Sequence, residues 1–205
     1  MILACNTASA KALRNIQQKD LPLIDPKKRV LGVIRPTTEI IGNYTKSKHV
    51  GIFATTGTVS SQSYVIEIEK FFPDIHVFQE ACPMWVPLIE NNELQGPGAE
   101  YFVKKYINNL LIQSPKIDVI ILGCTHYPLL IELIEKYLPK NITILTQGII
   151  VANSLKDYLV RHSEIEKTIS QNGSLQFLTT DSSEIFDKQG SLFYGKEVNS
   201  IHINL

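Results

Sequence analysis

The sequence predicts an α/β protein built on parallel sheets, and three observations carry that prediction. Short apolar runs of strand length alternate with segments of helical periodicity along the whole chain. Two of these passages, 1-MILACNTASAKALRNI-16 and 118-DVIILGCTHYPLLIELIEKYL-138, share one plan: an apolar run, a cysteine, two polar residues, then a helix-like segment. Parallel strands place such turns at the carboxyl ends of the sheet, where open α/β folds bind ligands. The 205 residues are enough to bury a core as one large domain or two small ones.

Each element follows from local chemistry. Met1 to Ala4 reads as a strand, Cys5-Asn6-Thr7 as a turn, and 10–16 as a helix. A break at 26-DPKK-29 precedes a second β-type run, 30–34, closed by Pro36. The stretch 37–48 starts with a modest helical pattern and fades into polar residues, as a linker does. Val50 to Ala54 is a third strand, followed by a turn of threonines and glycine and a helix with apolar positions at helical spacing. The run from Ile75 leads to Cys82-Pro83 and a helical VPLIE, and the QGPG at 95–98 is a loop before a long amphipathic helix, 99–113. Val119 to Gly123 is the next strand, with Pro128 at a natural first helical position. Then follow a strand at 142–147, a helix at 149–160, a polar break ending in Asn172-Gly173, a strand at 175–180, a helix at 182–189 and a β-type run at 198–205.

Composition excludes several classes. Twenty basic residues balance twenty acidic ones, so the electrostatic footprint of a nucleic-acid binder is missing. The apolar runs fall far short of the roughly 20 residues a membrane helix requires. Ile2-Leu3-Ala4-Cys5 imitates a lipoprotein site but lacks the basic start and the apolar stretch of about 7 to 15 residues before it. Three cysteines do not form a disulfide framework and suit a reducing cytosol, so a cytoplasmic location is expected. There is no glycine-rich dinucleotide fingerprint and no phosphate loop. Nothing fixes the oligomeric state, and a homodimer is one arrangement the sequence allows.

The candidate chemistry lies in Cys5 and Cys124. A free thiol ionises near 8.5, and a helix N-terminus can lower that value. One thiolate and one thiol on opposite sides of a carbon acid invert its stereocentre, one taking a proton while the other returns one. Cysteine is also among the most buried residue types, and Cys82, at a strand-to-helix junction, reads as structural. A zinc site is not expected, since structural sites show close cysteine pairs and there is no CxxC. A cysteine hydrolase is the rival reading, although His126 lies only two residues from Cys124, whereas a nucleophile's base usually comes from elsewhere in the fold. His49, His76, His162 and His202 carry no catalytic expectation.

Four motifs, ACNTASA (4–10), GIFATTGTVSSQSY (51–64), ACPMWVPLIE (81–90) and ILGCTHYPLL (121–130), together resemble the glutamate racemases of the aspartate/glutamate racemase superfamily. The resemblance implies a cofactor-independent isomerase that interconverts L- and D-glutamate and supplies D-glutamate for peptidoglycan. Its partner is then a small amino-acid substrate. It implies Cys5 and Cys124 as the acid/base thiols. Asn6, Thr7, Thr125 and His126 would contact the amino acid or assist a thiol, Thr55 and Thr58 would lie near the substrate carboxylate, and Glu90 would support the ionisation of the site. It further implies two similar α/β domains with the active site between them: a discontinuous one, 1–47 and 141–205, and a second, 48–140. The family's FDSGxGG-like loop and Pro-Tyr-Gly segment precede the first cysteine motif. Neither occurs in this sequence, so the first domain is expected to be short at its N-terminus. Thr146-Gln147 stands where the family more often has an acidic or serine-containing strand end. The alternatives are an inactive amino-acid-binding module and an aspartate racemase.

Overall fold

Every strand pairing among the described residues is parallel, as the alternation of strand and helix requires. The computed structural model describes residues 1–171 and 173–204. The first compact unit is Met1–Lys156. It opens with β1 (Ile2–Leu3) and α1 (Asn6–Lys11), and the helical course continues through α2 (Leu13–Asn15), a π turn at Ile16–Asp20 and α3 (Leu21–Ile24). The strand β2 (Leu31–Gly32) pairs with β1, and α4 (Arg35–Thr38) and a 3-10 turn at Ile41–Asn43 follow. The expected run 30–34 thus yields only two strand residues, because Pro36 is already in the first turn of α4.

The main sheet comes next. It is formed by β3 (His49–Ala54), β4 (His76–Ala81), β5 (Val119–Gly123) and β6 (Thr143–Leu145), in the order β4-β3-β5-β6. Between them run α5 (Thr56–Ser60), α6 (Ser63–Phe71), α7 (Trp85–Glu90), α8 (Pro97–Gln113) and α9 (Ile131–Tyr137), and α10 (Gln147–Arg161) follows β6. The sheet takes in Thr143–Leu145, just beyond the 48–140 stretch.

Both faces of this sheet are covered, which explains why β3 and β5 read as unbroken apolar runs. Phe53, Ile120 and Leu122 point to a core with Trp85, Val103, Leu110 and Tyr127, while Val50, Ile52, Val119 and Ile121 point to the opposite core with Tyr64, Ile68 and Ile41. Trp85 fills the first core between Phe53 and Tyr127, its ring centroid 4.9 and 4.8 Å from theirs. At the amino end of β5, Asp118 accepts hydrogen bonds from the Thr45 hydroxyl (2.6 Å) and the backbone N–H groups of Lys46 (2.7 Å) and Ser47 (2.8 Å). The polar stretch after the 3-10 turn is therefore tied to the sheet.

The second compact unit begins at Asp157. It contains α11 (Ser163–Glu166), β7 (Phe177–Thr179), α12 (Ser183–Tyr194) and β8 (Ser200–His202), with β7 and β8 paired. Ser182 caps α12 by accepting from the Ile185 N–H, and Gly195 ends it in the left-handed region at φ +71°. The expected break at Asn172-Gly173 and the end of the last β-type run at Leu205 include the two residues outside the described set. No helix among the described residues is long and apolar enough to cross a membrane.

Candidate active site

The first thiol sits where α1 begins. Its helix starts at Asn6, four residues ahead of the expected 10–16, with Cys5 in extended conformation as the N-cap (φ −89°, ψ 130°) and its carbonyl accepting from the Ser9 N–H at 2.9 Å. Asn, Thr and Ser favour turns and helix starts over helix interiors, so the sequence reads the beginning of this helix as a turn. Ser9 then locks the turn to its strand pair, donating to the Leu3 carbonyl at 2.9 Å and accepting from the Val33 N–H at 3.3 Å. The Cys5 side chain is exposed.

Cys124 occupies the corresponding place after β5 and is nearly buried, 8% exposed. Burial pushes its thiol from the ordinary 9.0 up to about 11, opposed by the backbone N–H groups of His126 and Tyr127, while negative charge on Cys5 and Glu90 adds to the rise. The lowering expected from N–H groups at a helix start is present at this position but is outweighed. A 3-10 turn, Tyr127–Leu130, leads into α9, and loss of water outweighs the local N–H groups.

Cys124 heads a short polar line. Its Sγ lies 3.8 Å from His126 Nδ1, and His126 Nε2 lies 3.2 Å from Glu90 Oε1 at the end of α7. A histidine between a thiol and a carboxylate can pass charge to or from the sulfur. Thr125, on the same turn, is exposed.

Three threonines form the second polar group. Thr7 Oγ1 is 2.8 Å from Thr55 Oγ1 and 3.2 Å from Thr58 Oγ1, and Thr55 caps α5 by accepting from the Thr58 N–H. This joins the Cys5 turn to the carboxyl end of β3. Gly57 permits the approach, since a Cβ there would lie 2.9 Å from Thr7 Cγ2.

Asn6 is placed differently from its neighbours. It is 2% exposed, with Nδ2 donating to Gln147 Oε1 at 2.8 Å and Oδ1 accepting from the Tyr64 hydroxyl at 2.8 Å. Tyr64 and Gln147 are the residues that sequence reasoning left without a role. The one signal was Gln147's position at the carboxyl end of a strand. Cys82 is 1% exposed, its thiol pushed up by burial and donating weakly to the Glu80 carbonyl at 3.6 Å, as a structural cysteine should be. Among the described residues, no three His, Cys, Asp or Glu side chains cluster as metal ligands.

A family model described as Asp/Glu/Hydantoin racemase matches residues 1–153. The glutamate racemase of Sulfurihydrogenibium sp. (strain YO3AOP1) is 33% identical over 195 residues, covering 95% of this chain and 69% of that protein. The glutamate racemase of Roseobacter denitrificans is 38% identical over 199 residues, covering 92% and 71%. Among solved structures, glutamate racemase isoform RacE1 of Bacillus anthracis superimposes with a TM-score of 0.85 at 29% identity, over 100% of this chain and 73% of that one. The Francisella tularensis glutamate racemase, solved in complex with D-glutamate, gives 0.80 at 28% identity over 100% and 72%.

Proposed function

This chain belongs to the Asp/Glu/Hydantoin racemase family, and from that premise we propose that it interconverts L- and D-glutamate by proton transfer between two thiols. The observation that carries the reading is the pair of cysteines at the carboxyl ends of parallel strands, their turns linked by the Thr7–Thr55 contact (2.8 Å) and by the pairing of Ala54, beside Thr55, with Gly123, beside Cys124. A thiolate takes the α-proton, becoming a thiol, and the electron pair left on Cα delocalises into the carboxylate. The other thiol then gives its proton to the opposite face and becomes the thiolate. Nothing is oxidised or reduced, and no cofactor enters the balance.

In this reading Cys5 takes the proton from D-glutamate and Cys124 from L-glutamate. Thr7, Thr55 and Thr125 supply hydroxyls to the amino acid, Thr58, 0% exposed, holds Thr7 and Thr55 in place near its carboxylate, and His126 with Glu90 supports Cys124. Asn6 assists from beneath the Cys5 turn. The two-domain arrangement, 1–47 with 141–205 against 48–140, is part of the same proposal, as are the cytoplasmic location and a homodimer. D-Glutamate from the reaction feeds peptidoglycan synthesis.

The test is wash-in of deuterium at Cα of L- and D-glutamate in heavy water, followed by NMR with no cofactor added. Exchange into both enantiomers is expected. Absence of exchange from either enantiomer would sink the proposal, and turnover of aspartate at or above the glutamate rate would move the substrate assignment.

A further inference from the structure

A buried hydrogen-bond chain beneath the Cys5 turn links four separate segments of the first unit, at Val33–Thr37, Gln147, Asn6 and Tyr64. Gln147, at the start of α10 and 9% exposed, donates through Nε2 to the Val33 carbonyl at 3.1 Å and to Thr37 Oγ1 at 3.2 Å. A carbonyl can only accept. Val33 therefore sets the orientation of the Gln147 amide, which leaves Oε1 facing Asn6. Asn6 must answer with Nδ2, and its Oδ1 is then left for the Tyr64 hydroxyl. One backbone carbonyl thus orients both amides, and the Tyr64 hydroxyl, which also interacts with Gln147, donates to Asn6 Oδ1.

The far end of the chain reaches the other thiol. Tyr64 is fully buried, and its ring lies against Gly123, the residue before Cys124; a Cβ on Gly123 would meet Tyr64 Cε2 at 3.1 Å. The tyrosine therefore spans the gap between the strand end that carries Cys124 and the residue next to Cys5. Buried polar networks of this kind are rigid when every member is satisfied and costly when one is removed.

We propose that Gln147 is a positioning residue: through Asn6 and Tyr64 it fixes the Cys5 turn at a set distance and orientation from the Cys124 turn. This rests on the two-thiol reading above. A proton relay across one carbon is sensitive to displacements of about 1 Å, which cost on the order of a hundredfold in rate. Gln147 makes its contribution without touching the amino acid.

The two halves of the Gln147 amide allow a test that mere folding stability does not imitate. Gln147→Met keeps the length and removes both halves. Thr37→Val keeps the oxygen that accepts from Asn6 and weakens only the other half. Two readouts are taken on each variant of the full chain: racemisation kinetics, and the water exchange of the Asn6 side-chain amide protons by nitrogen-edited NMR. Gln147→Met is expected to lower kcat by about tenfold or more with KM little changed, and to speed exchange of the Asn6 amide. Thr37→Val is expected to hold kcat within about threefold and to keep that amide protected, even where the melting temperature falls. Tyr64→Phe, which removes the other link, is expected to behave as Gln147→Met does, and it carries the test should Gln147→Met not fold. The inference is overturned if kcat tracks melting temperature across the set, or if Gln147→Met and Tyr64→Phe leave both kcat and the Asn6 amide unchanged. If the unaltered chain shows no Cα exchange while the amide protection still follows this pattern, the activity reading fails and the strut remains.

Discussion

The ionisation of Cys124 gives a prediction that can be worked through in numbers. With its thiol raised to about 11, only about one molecule in a thousand carries the Cys124 thiolate at about pH 8. The thiolate is the species that reacts with iodoacetamide. Its limited exposure lowers the rate by a factor that does not change with pH, so the pH dependence reports ionisation alone. The initial alkylation rate of Cys124, followed by peptide mass spectrometry so that Cys5 and Cys82 are resolved in the same sample, should rise about tenfold per pH unit from about pH 7 to about pH 10. A midpoint at or below about pH 8.5, where an ordinary free thiol is half ionised, would show that the neighbouring N–H groups and His126 outweigh burial, and that loss of water does not govern this thiol. The same ionisation affects stability. The folded pKa lies above the ordinary 9.0, so the folded protein holds a proton that the unfolded chain has lost. Stability is whole below about pH 9 and falls by about 3 kcal/mol as pH rises to about 11.

Further predictions concern single side chains. Cys5→Ser and Cys124→Ser should each abolish racemisation in both directions, since a hydroxyl is far less acidic than a thiol; Cys124→Ser should spare exchange that starts from the D enantiomer and Cys5→Ser exchange from the L. Cys82→Ser should alter only stability in chemical denaturation, and loss of racemisation there with retention in the other two would show the wrong thiols had been paired. Asp118→Asn should cost about 1.5 to 3 kcal/mol in urea unfolding, because two of its three donors are backbone N–H groups held by the carboxylate. Burial raises the Asp118 pKa, but the bonds from Thr45, Ser47 and Lys46 leave it lowered overall; its stabilisation is present above its ordinary 3.8 and lost as pH falls through the lowered value, a decline that Asp118→Asn should lack. Gly123→Ala should destabilise by about 1 to 3 kcal/mol, since the added methyl meets the Phe53 carbonyl and the Tyr64 ring, both at 3.1 Å, and its racemisation should fall further than its melting temperature alone accounts for.

The parts of this design that were legible in the sequence are those fixed by neighbours along the chain. The run Val119–Gly123 announces a strand buried on both faces because every residue in it is apolar, and the turn after it places Cys124 and His126 within reach of one another without any tertiary information. Thr55 and Thr58 entered only through the family resemblance, and the structure adds that Thr55 caps α5 by accepting from the Thr58 N–H. What could not be read depends on residues far apart. Tyr64 and Asn6 are 58 positions apart and Asn6 and Gln147 are 141 apart, and no local pattern marks a glutamine as the partner of a distant asparagine. The unequal environments of the thiols were hidden too. Their sequence contexts match closely, yet one lies exposed at the head of a helix while the other is walled in by β5, the 3-10 turn and the core around Tyr127.

That inequality has a consequence for how the proposed reaction should be measured. L- and D-glutamate have equal free energies in water, so kcat/KM must be the same in both directions at every pH, however different the two thiols are. Ratios of forward to reverse efficiency therefore carry no information about which cysteine is the base. What the burial of Cys124 does set is the resting protonation state. Near neutral pH the free protein holds Cys124 almost wholly as the thiol, ready to return a proton to the enantiomer whose proton Cys5 removes. The opposite enantiomer must find the rare molecule with the Cys124 thiolate, or create it by bringing an α-ammonium group beside the sulfur and lowering its pKa. Binding of a glutamate analogue that lacks the amino group should leave Cys124 alkylation as slow as in the free protein wherever access is unchanged, whereas one that keeps the amino group should shift the alkylation profile to lower pH. Identical profiles for the two analogues would show that the ammonium has no part in charging Cys124.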